Sequence, residues 1–204
     1  METIKTTRPW LTVLLCLCTL LVFFNPHLTE LTIYNRQAVF TGELWRLLFA
    51  PLAHLSGGHL FWNLLVFAVF GGLVENVNRK IFLLLCGVTT AASGTTYLLF
   101  VPELEVYGGL SGLATGLTVY FALHKIQLDN GAKHLWQLLL ALLLSKTVIE
   151  WATGSAIFAS KGGTPLVVLP SAHLWGIATA FTIWSWKHFT RPRQSSENPG
   201  SSVL

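Results

Sequence analysis

Three apolar segments of this chain begin with residues that together can hydrolyse a peptide bond. Ser111 stands near the start of one segment, and His173 stands near the start of another. His59 and Asn63 open a third segment four positions apart, so a helix places them on one face. A serine hydroxyl is unreactive at neutral pH until a neighbouring base takes its proton, and an imidazole titrates in the right range to do so. The residue types therefore fit a nucleophile, a base and two hydrogen-bond donors.

Each of these residues also has an ordinary structural explanation. A lone serine in a membrane helix commonly bonds to a backbone carbonyl, and a lone histidine is more often a hydrogen-bonded interior residue than a base. Asn63 alone is compatible with a bond across helices that serves structure only. Chemistry is favoured by the common depth of these residues on three segments, because ionisable groups inside a membrane face protein or a water cavity.

Small residues accompany both the serine and the histidine. At a spacing of four, such residues let two helix backbones approach closely. We therefore predict that the two segments pack together and bring Ser111 Oγ within reach of the His173 imidazole. The small residues are Gly109, Gly112 and Gly116 beside the serine, and Gly176 and Ala180 beside the histidine.

The composition indicates a membrane setting. Of the 204 residues, 52% are hydrophobic and 11% are charged, against about 25% charged residues in a soluble domain. The apolar residues form long blocks, which indicate helices that span a bilayer. We predict an all-α membrane protein with one six-helix domain at 1–190 and a disordered cytoplasmic tail at 191–204. The predicted spans are 9–25, 58–75, 81–100, 109–124, 134–152 and 166–187.

The fourth predicted span is the shortest. Its apolar part runs from Leu110 to Leu123, about 14 residues, which cover about 21 Å of helix. A helix too short to cross a bilayer must have protein around it rather than lipid. We therefore predict a short central helix.

The basic residues give the orientation of the chain. With six spans, most lysines and arginines fall on one side, and only Arg36, Arg46 and Lys161 fall on the other. We expect the richer side, with both termini, to be cytoplasmic, and the polar sites to lie toward the periplasm. The net charge of +4 follows from this topology, so no nucleic-acid partner is predicted.

Three ionisable residues inside the spans are interpreted as structural. Lys146 and Glu150 share a face of the fifth span, in its outer half near the predicted catalytic depth, and an ion pair that holds the helix in place is favoured over a part in the functional site. Glu75, at the inner end of the second span, receives the same interpretation. No acidic residue is expected beside His173, so the sequence predicts a Ser–His dyad.

Two outer loops carry further expectations. The loop 25–57 is expected to lie partly in the membrane interface, with Trp45 as an anchor. Gly162 and Gly163 precede the last span and are candidates for a mobile lid. The cysteines lie in apolar blocks without a CxxC pattern, so no disulfide, metal centre or cofactor is predicted. The oligomeric state is left open.

The motifs, taken in order, resemble the rhomboid family. GELWRL at 42–47 contains the Trp-Arg pair of the family's first loop, and residues 59–63 fit its HxxxN motif. GLSG at 109–112 matches GxSG, and AHLWG at 172–176 matches the AHxxG of the last helix. The likeness covers the outer loop and nearly all of spans two to six. It implies a six-helix rhomboid-like bundle and an intramembrane serine endopeptidase.

The resemblance also implies a role for each residue. Ser111 is the nucleophile and His173 its base, while His59, Asn63 and the Ser111 backbone N–H hold the oxyanion. The short chain and the sequence at 34–36 are more similar to the rhombosortase branch. That branch is thought to process bacterial surface proteins with a C-terminal GlyGly-type sorting helix, which implies the inner membrane as location and single-span membrane proteins as substrates.

Two positions depart from the family pattern. Thr115 stands where many members have a tyrosine that stacks on the base, which leaves open what orients His173. Ala180 replaces the second glycine of the last helix, and its small side chain still permits close packing.

Other functions are compatible with parts of the sequence. A metal-dependent membrane hydrolase would use His54, His59 and His173, although acidic partners are scarce and no HExxH motif is present. A non-catalytic protein that binds transmembrane helices would need neither Ser111 nor His173. A small-molecule transporter is a weaker alternative, because the sequence shows no inverted repeat. Without a metal, His54 is interpreted as a structural residue of the outer loop.

Overall fold

The computed structural model describes residues 8–128, 131–154 and 170–190, and most of them are helical. The tail at 191–204, the proposed lid at Gly162 and Gly163, and the first residues of the sixth predicted span lie outside the described residues. In chain order the elements are α1 (Trp10–Phe24), α2 (Pro26–Thr32), β1 (Tyr34–Asn35), α3 (Arg36–Phe40), α4 (Arg46–Phe49), a 3-10 turn (Ala50–Leu52), α5 (Gly57–Val77), α6 (Arg79–Phe100), β2 (Val106–Tyr107), α7 (Ser111–Leu128), α8 (Lys133–Thr153) and α9 (Pro170–Thr190).

Helix α7 lies at the centre of the bundle, as predicted. Residues 112–122 are all buried, and the helix packs against α5, α6, α8 and α9. With 18 residues it is shorter than these four neighbours, which have 21 or 22, but longer than α1, which has 15. The prediction that it is the shortest helix is therefore wrong, because the backbone stays helical through residues 124–128, where His124, Lys125 and Gln127 interrupt the apolar sequence.

The described helices differ in how well they suit a membrane. Helices α5, α6 and α8 are long and apolar enough to cross one, and a fourth span results if the bent pair α1 and α2, which meet at 113°, counts as one. Helix α7 does not need a fully apolar surface, because protein encloses residues 112–122 on all sides. The described residues thus fit an integral membrane protein with three or four spans of this kind.

Helices α7 and α9 run parallel and touch along their glycines. A methyl group on Gly112 would lie 2.8 Å from the carbonyl oxygen of Ala172, and one on Gly116 would lie 3.0 Å from that of Gly176. At the other end of the pair, Gln127 Nε2 lies 2.8 Å from His188 Nδ1. The predicted packing of the two small-residue faces is confirmed.

A buried arginine organises the loop between α1 and α5. The Arg46 guanidinium pairs with Glu43 at 2.6 Å and donates to the carbonyl oxygens of Glu30 and Ile33, the latter at 2.9 Å. These carbonyls end helix α2 or follow it, where helical carbonyls lack partners. Trp45, which is 44% exposed, donates its indole N–H to Leu31 at 3.1 Å. The Trp-Arg pair thus holds the outer loop in one shape.

A two-stranded antiparallel sheet joins this loop to the start of α7. Tyr34 pairs with Tyr107 and Asn35 with Val106. Nearby, Arg36 donates to the carbonyl oxygens of Tyr97 and Val101 at the end of α6, at 3.1 and 3.3 Å. The turn that precedes Ser111 is therefore fixed to the outer loop.

Glu75 joins the start of α1 to the end of α5. Its fully buried carboxylate accepts hydrogen bonds from the backbone N–H groups of Leu11 and Thr12, at 3.1 and 2.8 Å, and from the Thr12 hydroxyl at 2.9 Å. Arg79 adds an ion pair at 3.2 Å. The first N–H groups of a helix lack internal partners and favour a negative charge, so Glu75 caps α1. This agrees with the structural role predicted for it.

The glycine contact leads to a stability prediction. In Gly176→Ala the new methyl group would overlap the carbonyl oxygen of Gly112 and lie 2.9 Å from the Gly116 nitrogen, so α7 and α9 must separate. We expect a loss of about 1–3 kcal/mol of stability, seen as a lower thermal midpoint in detergent. Gly87→Ala is the matched control. Among the described residues nothing lies within 4 Å of its added carbon, so helix propensity should raise the midpoint slightly. Equal midpoints for the two variants would contradict the proposed contact.

Candidate active site

The turn before α7 lies directly against two of the predicted site residues. Gly109 has φ +131°, a conformation that side chains rarely adopt, and its N–H donates to the Ala50 carbonyl at 3.2 Å. A methyl group on Gly109 would lie 2.6 Å from His59 Cε1 and 3.4 Å from Asn63 Nδ2. His59 and Asn63 therefore sit beside the backbone that leads into Ser111, as the sequence predicts.

Ser111 is the first residue of α7 and is half-buried. Its neighbour Gly112 touches the backbone of Ala172, which directly precedes His173 in α9. His173 is 7% exposed. The contact between Gly112 and Ala172 thus places the serine and the histidine at the same end of two touching helices. Ser111 also begins a helix, where unpaired N–H groups and the helix dipole favour a developing negative charge.

A carboxylate lies beside His173, contrary to the sequence prediction. Glu150 Oε2 is 3.2 Å from His173 Nδ1, and the same oxygen is 2.7 Å from Lys146 Nζ. The predicted ion pair between Lys146 and Glu150 is confirmed, but the expectation that no acidic residue lies near His173 is wrong. The sequence places Lys146 and Glu150 on one helix face without showing which neighbour that face meets. Glu150 is thus a candidate to orient His173, a role that Thr115 cannot fill because it has no ring to stack on the imidazole.

His54 has structural contacts, as the sequence predicts for this loop residue, but it lies within the candidate site itself. This histidine is 2% exposed, and its Nδ1 lies 3.3 Å from the Leu52 carbonyl oxygen. Its Nε2 lies 3.1 Å from Asn63 Nδ2 and accepts from the Leu110 N–H at 3.4 Å. A neutral ring with its proton on Nδ1 satisfies all three contacts. His54 therefore fixes both the Asn63 amide and the backbone one residue before Ser111. The spacing of five between His54 and His59 was the available clue.

The protonation state of His54 follows from its surroundings. Burial, reinforced by the nearby His59, lowers the pKa of His54 from its usual 6.5 to about 3, while the hydrogen bond to Leu52 acts in the opposite direction. The His54 and His59 ring centroids are 5.2 Å apart. His54 is therefore neutral at physiological pH and works as a hydrogen-bond acceptor at Nε2.

Polar contacts also surround the start of α9. Ser171 donates to the Tyr97 hydroxyl at 3.4 Å, and the Tyr97 and Tyr107 rings lie 4.9 Å apart. The Tyr107 hydroxyl donates to the Gly109 carbonyl at 3.4 Å. These contacts connect the end of α6, the turn before Ser111 and the start of α9.

The three histidines do not fit a metal centre. Within residues 8–128, 131–154 and 170–190, no three His, Cys, Asp or Glu side chains are arranged to hold a metal ion. His54 Nε2 faces the donors of Asn63 and Leu110, and the other ring nitrogen faces the Leu52 carbonyl, so neither nitrogen offers a lone pair to a cation. The donor set thus speaks against the metal-dependent alternative.

The depressed pKa of His54 predicts a pH dependence of stability. Between about pH 6.5 and 3 the unfolded chain binds a proton that the folded chain does not, so stability must fall as the pH falls through this window. We expect His54→Gln to show a smaller loss of thermal midpoint than the wild type between about pH 7.5 and 5. His134→Gln, which removes an exposed histidine, is the control and should keep the wild-type slope. An unchanged slope in His54→Gln would contradict the assigned neutral state.

Similarity to known proteins covers the part of the chain that contains the candidate site. Residues 41–189 match the model of the Rhomboid domain, and this range contains all the site residues described above. Over 113 residues the chain is 29% identical to the rhomboid protease GlpG of Haemophilus influenzae, and the match covers 53% of this chain and 58% of that relative. The family model accounts for more than half of the chain, from the outer loop to the end of α9. The chain therefore belongs to the rhomboid family.

Proposed function

We propose that this protein is an intramembrane serine endopeptidase with Ser111 as nucleophile and His173 as base. The observation that supports the proposal is the close contact of α7 and α9 at Gly112 and Ala172, which are the chain neighbours of Ser111 and His173. Family membership and the likeness to a rhomboid protease support the same activity.

The proposed reaction is acyl transfer to serine followed by hydrolysis. His173 takes the proton from the Ser111 hydroxyl as the Oγ attacks the scissile carbonyl, and the C–N bond then breaks with the proton delivered to the leaving amine. A water molecule, deprotonated by the same histidine, cleaves the acyl-enzyme and regenerates the serine. No cofactor is required by this sequence of steps.

Three hydrogen-bond donors are available for the oxyanion. These are the Asn63 amide, the His59 ring and the backbone N–H of Ser111. The contacts of His59 and Asn63 with Gly109 support this role, because they hold both side chains at the entrance to α7. The loss of one such donor typically costs about 3 kcal/mol of transition-state stabilisation. His54 keeps the Asn63 amide in place by accepting one of its two N–H groups.

The proposed substrates are single-span membrane proteins cut in or near their transmembrane helix. A helix hides its carbonyls in internal hydrogen bonds, so the substrate must unwind locally before attack, and glycines near the cut make unwinding easier. Similarity to the rhombosortase branch favours C-terminal GlyGly-type sorting helices. In this proposal the chain has six spans in the bacterial inner membrane, both termini in the cytoplasm and the site toward the periplasm.

Active-site labelling tests the proposed reaction. We expect a fluorophosphonate to form an adduct with the detergent-solubilised protein at Ser111, because His173 activates that hydroxyl. Ser111→Ala should abolish labelling and His173→Ala should slow it by at least about 100-fold. Mass spectrometry of the peptide that contains residue 111 identifies the adduct.

The control is Ser93→Ala, which removes a buried hydroxyl that donates to the Thr89 carbonyl of its own helix at 2.7 Å. This variant should label at the wild-type rate. Folded wild-type protein without an adduct would refute the enzymatic proposal and favour a protein that binds transmembrane helices without cutting them.

Substrate choice is tested with a reporter carried on a transmembrane helix. Co-expression with a reporter whose C-terminal helix begins with Gly-Gly should yield a shortened product, and replacement of both glycines by leucine should reduce its amount at least about tenfold because the helix unwinds less easily. Immunoblotting of the reporter measures the product, and Ser111→Ala supplies the blank. Equal cleavage of both reporters would remove the GlyGly preference while leaving the protease activity intact.

A further inference from the structure

We propose that Glu150 is a positioning residue that orients His173 through Nδ1 and stabilises its protonated form during the reaction. This inference rests on the proposed protease function and extends the Ser–His pair to a Ser111–His173–Glu150 arrangement. Its basis is the 3.2 Å distance between Glu150 Oε2 and His173 Nδ1, in a place where the two side chains are 2% and 9% exposed.

Helix α8 turns a carboxylate inward although most of its surface is apolar and exposed. Within this fully described helix, the buried residues are Thr147 and Glu150, whereas leucines such as Leu138 and Leu142 are more than half exposed. A buried carboxylate is costly unless it is paired. The face of α8 that meets the bundle includes Trp136, which packs against the apolar core, and ends in the polar residues Thr147 and Glu150, so the carboxylate lies beside the histidine of α9.

The Glu150 carboxylate lies close to the Lys146 ammonium and to the imidazole of His173, which becomes a cation when it is protonated. Its Oε2 lies 2.7 Å from Lys146 Nζ and 3.2 Å from His173 Nδ1. Lys146 balances the carboxylate while the imidazole is neutral. When His173 takes a proton, the same oxygen has a second positive group beside it, so the carboxylate lowers the free energy of the ion pair that forms on the reaction path.

Every proton is accounted for in the proposed arrangement. The Nδ1–H of His173 faces Glu150, which leaves the Nε2 lone pair to accept the proton of Ser111 as its Oγ bonds to the carbonyl carbon. The imidazolium then gives this proton to the leaving nitrogen. Glu150 stays ionised throughout, as the orienting carboxylate of other serine hydrolases does.

The contact is close without being an aligned hydrogen bond. Among the described residues, His173 Nδ1 has no well-aligned hydrogen-bond partner, although the carboxylate oxygen is within ion-pair distance. A small rotation of the imidazole would direct the N–H at Oε2. Hydrogen bonds of catalytic groups are often poorly aligned in the free enzyme and tighten with substrate bound.

Other ionisable groups lie near the same imidazole, and their charges determine the direction in which each substitution shifts the pH profile of labelling. His59 of α5 lies within electrostatic range of His173, Lys146 and Glu150, and His54 lies beside His59. Glu150→Gln removes the negative charge that lies beside the imidazolium, so the acidic limb of the labelling rate should move to lower pH. Lys146→Met removes a positive charge and should move that limb to higher pH.

The test is the pH profile of fluorophosphonate labelling at Ser111, together with kcat and KM for the reporter. We expect Glu150→Gln to lower kcat at least about tenfold with KM nearly unchanged, and to shift the acidic limb down by about one pH unit. Glu150→Asp should recover part of kcat because the charge is restored. Glu105→Gln, which alters an exposed carboxylate, is the control and should behave as the wild type.

Two results separate this inference from the proposed function. If the wild type labels at Ser111 but Glu150→Gln keeps both its rate and its pH profile, the role of Glu150 is refuted and the protease proposal stands. If the wild type does not label, both proposals fail. If Glu150→Gln does not fold, as shown by the loss of its thermal transition, the Lys146→Met variant provides the test. A shift of its acidic limb to higher pH supports the arrangement, and an unchanged acidic limb refutes it.

Discussion

The close approach of α7 and α9 is the constraint on which the rest of this structure depends. Their backbones touch at Gly112 and Gly116 on one side and at Ala172 and Gly176 on the other. Because both helices run in the same direction, this contact fixes the depth of His173 relative to Ser111. Every other helix that supplies a polar group to the site then needs only to pack against this pair, and α5 and α8 do so.

Around this pair, the loop between α1 and α5 is held by polar contacts as well as by a small apolar cluster that includes Tyr34 and Tyr97. Arg46 and Arg36 bind carbonyl groups that helix ends leave without partners, and the strand pairing of Tyr34 with Tyr107 ties the loop to the turn before α7. His54 completes this layer by binding the Asn63 amide and the Leu110 N–H. The residues of the candidate site are thus supported by buried hydrogen bonds, which favour a single fixed geometry.

The sequence predicted the parts of the site that depend on helical periodicity. The spacing of His59 and Asn63, and of Gly112 and Gly116, translates directly into shared helix faces, and the structure bears out both. The contact between Glu150 and His173 could not be predicted in this way, because it depends on the rotation of α8 about its own axis. The position of His54 at the site could not be predicted for a similar reason, since a loop has no period that indicates where its side chains lie. The length of α7 was underestimated because an apolar count stops at the first polar residues, while the backbone continues as a helix to Leu128.

The overlap that any side chain at Gly176 would create also limits how this protein can diverge. A position without room for one additional carbon atom does not allow gradual changes in side-chain size, so the spacing between the backbones of α7 and α9 is fixed at this point. Variation in what the molecule recognises must then arise on surfaces with space, such as the exposed leucine and phenylalanine side chains of the outer loop and of α5. The innermost contact of the fold therefore tolerates the least change in side-chain size, and its exposed apolar surface tolerates more.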